Sequence, residues 1–128
     1  MNFNNCNFNV AVLGLDNAGK TTTILRLQGD ESKPNRAQWG FNTTTAVFKY
    51  TKLSKFACIS YMKQKKACLT FFDVGGHVKF RKVWPSYYMD VFGCIFVVDV
   101  NCKSRFDECK ASFQEMAKNP MMKGKPIL

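Results

Sequence analysis

Apolar and polar positions follow two different periods along this chain of 128 residues. Phe8 to Leu13 (F-N-V-A-V-L) is a short apolar run closed by Gly14, which predicts a strand. A helix is expected from about Lys20 to Gln28, stopped by Gly29. Asp30 to Trp39 contains Pro34 and Asn35 and has little periodicity, so it reads as a loop. Thr43 to Tyr50 and Cys68 to Asp73 are rich in Thr, Val, Phe and Tyr and in apolar residues respectively, which suits strands. Gly93 to Asp99 is almost wholly apolar, the pattern of a strand buried on both faces. From Ser104 to Lys118 the period becomes helical. Phe106, Cys109, Phe113 and Met116 share one face, and Ser104 with Asp107 predicts a capping box. Asn119-Pro120 ends that helix, and Pro126-Ile127-Leu128 reads as the start of one more strand. The Asn-rich residues 1–7 are expected to be loose. The order β-α-β-β-(helical turn)-β-α-(β) predicts one α/β domain with a mainly parallel sheet.

Composition narrows the class. An apolar fraction of 46% is enough for a core and excludes a disordered chain. No apolar run approaches the roughly 18 residues of a membrane helix. The first cation is Lys20, so there is no basic leader ahead of an apolar segment, and Asn2 excludes N-myristoylation. The six cysteines form no C-x-x-C pair, which excludes a zinc ribbon and points to a reducing, cytosolic compartment. The sequon at Asn42 is then idle. A net charge of +10 fits a phosphate ligand, an anionic membrane, nucleic acid or simply solvated lysines. Nucleic acid is the weakest of these, because the charge is concentrated in one segment described below.

Gly14-Leu15-Asp16-Asn17-Ala18-Gly19-Lys20-Thr21 matches G-x-x-x-x-G-K-[ST] in full and lies between an expected strand and an expected helix. The glycines allow a tight turn that aims successive N–H groups at phosphate oxygens. The start of the helix adds positive potential. Lys20 can reach the β- and γ-phosphates, and the Thr21 hydroxyl can ligate Mg²⁺. Asp73-Val74-Gly75-Gly76-His77 is the partner pattern. An acid at the end of an apolar strand, Asp73, can hold Mg²⁺ opposite Thr21, and the Gly76 N–H can meet the γ-phosphate. The plain alternative for Asp73 is a turn former. The fold expected is that of a P-loop NTPase.

These motifs, with W-G-F-N at 39–42, F-D-V-G-G at 72–76, W-P-S-Y-Y at 84–88 and F-V-V-D at 96–99, resemble those of Arf and Arf-like small GTPases. The resemblance runs from about Val10 to Leu128 and is nearest the cilium-associated Arf-like branch. It implies a Ras-like G domain over core residues 8–128 that binds GTP or GDP with Mg²⁺ and works as a switch in intracellular transport. It also implies effector docking on Phe41, Phe72 and Tyr87, whose alternative role is core packing. Membrane or ciliary association follows from the same likeness, with Cys6 as a candidate for S-acylation.

Four departures from the family pattern matter. His77 stands where most members carry the Gln that orients the attacking water. It is the one catalytic candidate, and slow or absent hydrolysis is expected; its alternative is an exposed residue without chemistry. Gln38 replaces the switch Thr before the Gly-Phe pair, which puts ordering of that loop by GTP in doubt. Residues 51–66 are an insertion, and with Lys49 this region carries six lysines and no acid. It reads as a basic membrane- or partner-seeking loop, as a longer hairpin, or as mistranslated intron, the last preferred because nothing in the domain requires it. The guanine-reading N-K-x-D motif is absent, so the domain is expected to be C-terminally incomplete, with an unpaired sheet edge and marginal stability. Three functions are carried forward: a slow GTP switch, a nucleotide-binding interaction module without turnover, and an ATP-using P-loop enzyme.

Overall fold

The computed structural model describes residues 5–28, 41–49 and 66–128, with side chains for 7–28 and 68–128. Among the described residues four strands form the sheet: β1 (Asn5–Leu13), β2 (Phe41–Lys49), β3 (Lys66–Val74) and β4 (Gly93–Phe96). Helices α1 (Lys20–Leu27) and α4 (Phe106–Lys118) and the four-residue helices α2 (Val78–Arg81) and α3 (Pro85–Tyr88) connect them. The sheet order is β2-β3-β1-β4. β1 pairs in parallel with β3 and β4, and β2 is antiparallel to β3. The mainly parallel α/β sheet expected from the sequence is therefore present.

Period-two alternation sorts the core onto the two sheet faces. Ala11, Leu13, Val74 and Cys94 face Trp84, Tyr88, Val91, Met116 and Met122. Val12 and Phe71 face Ile24 of α1, with Val10, Leu69, Ile95 and Val97 packed around them. The parallel strands all end toward one pole, and the glycine loops that leave β1 and β3 meet there.

Several expectations need correction. Residues 5–7 belong to β1, because Asn5, Cys6 and Asn7 pair along β3 from Lys66 to Cys68, and ladder pairing does not require apolar side chains. Lys66 is accordingly the first residue of β3, not the end of the insertion. β2 starts two residues earlier than expected, at Phe41. β4 ends at Phe96 and Val98 is exposed; among the described residues, 126–128 lie along that edge, through a parallel bridge between Cys94 and Ile127. The capping box does not form. A 3₁₀ turn at Lys103–Arg105 precedes α4 and contains Ser104, so Arg105 takes the N-cap position without a side-chain cap. The buried stripe of α4 is Cys109, Ser112 and Met116, while Phe106 and Phe113 stay partly exposed. Small Ser112 admits the Arg81 guanidinium there, 3.2 Å from its hydroxyl. The 30–39 loop, Gln38, and residues 51–65 of the insertion lie outside the described residues, as do the side chains of Cys6 and Phe41.

Candidate functional site

The 14–21 loop is shaped by its backbone. Asn17 and Gly19 have positive φ (60° and 91°), and the Ala18 N–H bonds the Leu15 carbonyl at 3.3 Å. Alternation of left- and right-handed residues turns successive N–H groups inward, the arrangement that cradles phosphate oxygens. α1 begins at Lys20, immediately after the left-handed Gly19. Gly14 (φ 141°) leaves no room for a Cβ, which would collide with the Val97 carbonyl.

Lys20 and Thr21 meet Asp73 inside this cradle. Lys20 is 8% exposed and donates to the Leu15 carbonyl at 2.8 Å. Burial lowers its pKa, opposed by the charges of Asp73 and Asp16. The Thr21 hydroxyl donates to Asp73 Oδ2 at 2.5 Å. Asp73 is 3% exposed, and burial raises its pKa against the pull of the Thr21 hydrogen bond and the Lys20 ammonium. Two hard oxygen donors thus face each other beside a cation-lined loop. That donor set fits Mg²⁺, which takes few protein oxygens and completes its shell with water and phosphate. Among the described residues, no group of three or more His, Cys, Asp or Glu side chains gathers to hold a metal by itself.

The segment after β3 closes over the loop. Gly76 packs so tightly on Gly14, Leu15 and Asp16 that a Cβ would overlap all three backbones. Its carbonyl accepts from Arg81 Nε at 2.7 Å, and the Gly75 carbonyl accepts from the buried Trp84 Nε1 at 3.0 Å. His77 caps α2: its Nδ1 accepts from the Lys79 N–H at 3.3 Å, and its ring lies edge-on to Phe80. Phe72 and Tyr87 pack together at 6.0 Å on the edge of the core, consistent with either expected role.

Sequence reasoning missed a four-charge cluster. Arg105 donates to the Asp16 carboxylate at 2.8 Å, to the Asp16 carbonyl at 3.3 Å and to both Glu108 oxygens. Arg81 reaches Glu108 at 2.5 Å and lies 3.8 Å from Asp16. Hydrogen bonds to Arg105 and then Arg81 hold the Glu108 carboxyl down to about 2, and Arg105 likewise lowers Asp16. The spacing of Arg105 and Glu108 is a visible i,i+3 pair, but nothing local in the sequence announces Asp16 or Arg81 as partners. Beside this cluster a cavity of about 120 Å³ opens between residues 15–18 and the wall formed by Val97, Val98, Cys102, Phe106 and Cys109.

A mainly parallel sheet with a G-x-x-x-x-G-K-T loop after its first strand, and an Asp-x-Gly-Gly exit from the strand beside it, is the arrangement of a small GTPase of the Ras-like P-loop class. The chain belongs to the ADP-ribosylation factor family, whose sequence profile matches residues 1–128. It is 35% identical over 118 residues to ADP-ribosylation factor-like protein 13B of Chlamydomonas reinhardtii, covering 92% of this chain and 19% of that protein. It is 34% identical to ADP-ribosylation factor-like protein 3 of Saccharomyces cerevisiae over 98% of this chain and 61% of the relative. The Arl6 BBS3 small GTPase of Trypanosoma brucei, solved with the nucleotide analogue GppNp, superposes with a TM-score of 0.70 at 30% identity, over 94% of this chain and 64% of that one. The chain spans less than two thirds of each of these proteins. No helix among the described residues is long and apolar enough to cross a membrane.

Proposed function

We propose that this chain is the nucleotide-holding part of an Arf-like switch that takes GTP or GDP with Mg²⁺ and hydrolyses GTP slowly. The observation that supports it most directly is the meeting of Thr21 with Asp73 beside Lys20, at the mouth of a loop whose amides turn inward. In this reading the 14–21 amides and the Lys20 ammonium hold the phosphates, and the Gly76 N–H senses the γ-phosphate. Thr21 and Asp73 would hold Mg²⁺, which when bound neutralises charge on the phosphates. Water attack is then a matter of positioning, and His77 is the side chain at the expected place. Its Nδ1 is engaged by the Lys79 N–H, which favours slow turnover and keeps the second reading open, an interaction module that binds nucleotide without cleaving it. Effector docking through Phe41, Phe72 and Tyr87 belongs to this proposal, as does a membrane-associated or ciliary setting, supported by likeness to the Arf-like relatives.

Fluorescent GTP, GDP and ATP titrated with and without magnesium test the reading. Tight, magnesium-dependent binding of GTP and GDP, weakened at least about a hundredfold by Lys20→Ala, is the expected result. Preference for ATP, or no binding of any purine nucleotide to folded protein, overturns it. Single-turnover cleavage distinguishes the slow switch from the inert module, and His77→Gln is expected to speed cleavage in the former.

A further inference from the structure

A carboxylate in a loop built to hold a polyanion is an electrostatic liability, and Asp16 is one. Its charge is felt at Lys20, whose ammonium it helps keep protonated. It also immediately precedes the left-handed Asn17 of that loop. The structure answers with Arg105, whose fork takes both the carboxylate and the carbonyl of Asp16. The same guanidinium binds Glu108, and the other partner of Glu108 is Arg81, which grips the Gly76 carbonyl. Two cations and two anions therefore form a neutral group spanning the phosphate loop, the start of α4 and the segment behind β3. All four side chains are partly shielded, with exposures between 15% and 40%, so their attraction is less screened than that of a fully solvated pair.

We propose that Arg105 is a positioning residue for the phosphate loop: it neutralises and pins Asp16, and Glu108 yokes it to Arg81, so that the loop and the Gly76 carbonyl are held as one unit. The consequence for binding rests on the proposed nucleotide function; the yoke itself does not. An unpaired Asp16 repels a triphosphate more than a diphosphate, and the repulsion fades with salt. A purely structural Arg105 would produce neither effect.

Release of fluorescent GDP and GTP analogues, timed by stopped flow on the magnesium-loaded protein, provides the first test. Arg105→Ala is expected to speed release about tenfold, more for the triphosphate, with Arg105→Lys intermediate. Adding Asp16→Asn to Arg105→Ala removes the stranded charge and is expected to recover most of the lost residence time. Unchanged release in Arg105→Ala, or no recovery in the double variant, overturns the proposal. The second test needs no nucleotide. Glu108→Gln touches neither the loop nor Gly76, yet amide exchange at 15–18 and at 75–77 is expected to rise together. A rise at one segment alone refutes the yoke. If the wild-type chain binds no guanine nucleotide, the functional reading falls while the exchange experiment still decides this one.

Discussion

The phosphate loop and the segment that closes on it are both glycine-rich turns leaving adjacent parallel strands, yet they are held by opposite means. Residues 14–21 take their shape mainly from their own backbone, with positive φ at Gly14, Asn17 and Gly19, a turn from Ala18 to Leu15 and a lysine that bonds a carbonyl five residues back, and Arg105 adds one outside hold at Asp16. Residues 75–77 take their position from elsewhere. Trp84 holds one carbonyl, Arg81 the next, and Arg81 is in turn seated against Ser112 and Glu108 of α4. A loop defined locally can be complete before its ligand arrives. A loop defined by distant side chains can be released by moving those side chains, which suits the γ-phosphate response proposed for Gly76.

The largest expected effect breaks the contact where the two segments meet. Gly76→Ala places a methyl group into the backbones of Gly14, Leu15 and Asp16, none of which is a flexible chain end. Loss of about 3 kcal/mol or more of stability is expected, together with nearly complete loss of nucleotide binding. Gly19→Ala is the matched control. A Cβ there meets nothing within 4 Å, and only the φ of 91° is strained. Its cost should be about 1–2 kcal/mol, with binding impaired through the tilt of the amides rather than lost through collision. Urea unfolding and nucleotide titration on the two variants separate contact from conformation. Equal costs would mean that the tight approach of Gly76 is not maintained in solution.

The same contrast explains what the sequence could disclose. The phosphate loop was legible because its shape is encoded in eight consecutive residues, with a strand before and a helix after. Asp73 was legible because it ends an apolar strand. The order of elements was equally plain, since β1, β3 and β4 carry runs that only a sheet covered on both faces would bury. The clamp on 75–77 was not legible. Arg81 and Glu108 are 27 positions apart, and Arg105 and Asp16 are 89 apart, separations at which one sequence carries no pairing signal. The misplaced α4 face has the same origin. Phe113 looks like core by periodicity, but it lies partly exposed on Phe96, while Ser112 turns inward to serve Arg81. The extent of β1 was underestimated because Asn5 and Asn7 contribute backbone pairing and no apolar signal.

A smaller effect probes the closing segment without touching the loop. Trp84 is 3% exposed, lies edge-on to Phe96 at 6.3 Å, and donates to the Gly75 carbonyl. Trp84→Phe keeps most of the apolar volume and strands that buried carbonyl. The expected cost is about 2 kcal/mol, seen as a lower urea midpoint with an unchanged slope. Because Gly75 precedes Gly76, discrimination between GTP and GDP should narrow while overall affinity changes little. A variant that loses affinity for both nucleotides equally would show that the Trp84 bond supports the 14–21 loop as much as it supports 75–77.

The smallest effect is electrostatic and gives the comparison a sign. Facing the phosphate loop from β3, the Asp73 carboxylate is buried and its pKa is raised. Folding therefore favours its protonated form, so its contribution is fullest below the ordinary value near 3.8 and is lost as pH rises through the raised folded value. In the clamp the decisive carboxylate, Glu108, is paired with two guanidiniums and held down to about 2. Folding favours its ionised form, so its contribution is fully present above 4.5 and fades as pH falls toward 2. Melting temperatures of nucleotide-free protein between pH 2 and 7 read both. Asp73→Asn should gain on the wild type as pH rises, because an amide carries no buried charge. Glu108→Gln should lose ground between pH 2 and 4.5 and then run parallel to the wild type. Glu108 is 40% exposed, so solvent screening keeps its change to about 1 kcal/mol or less, a shift of a few degrees. Slopes of the same sign in the two variants would show that one of these carboxylates does not sit in the environment described.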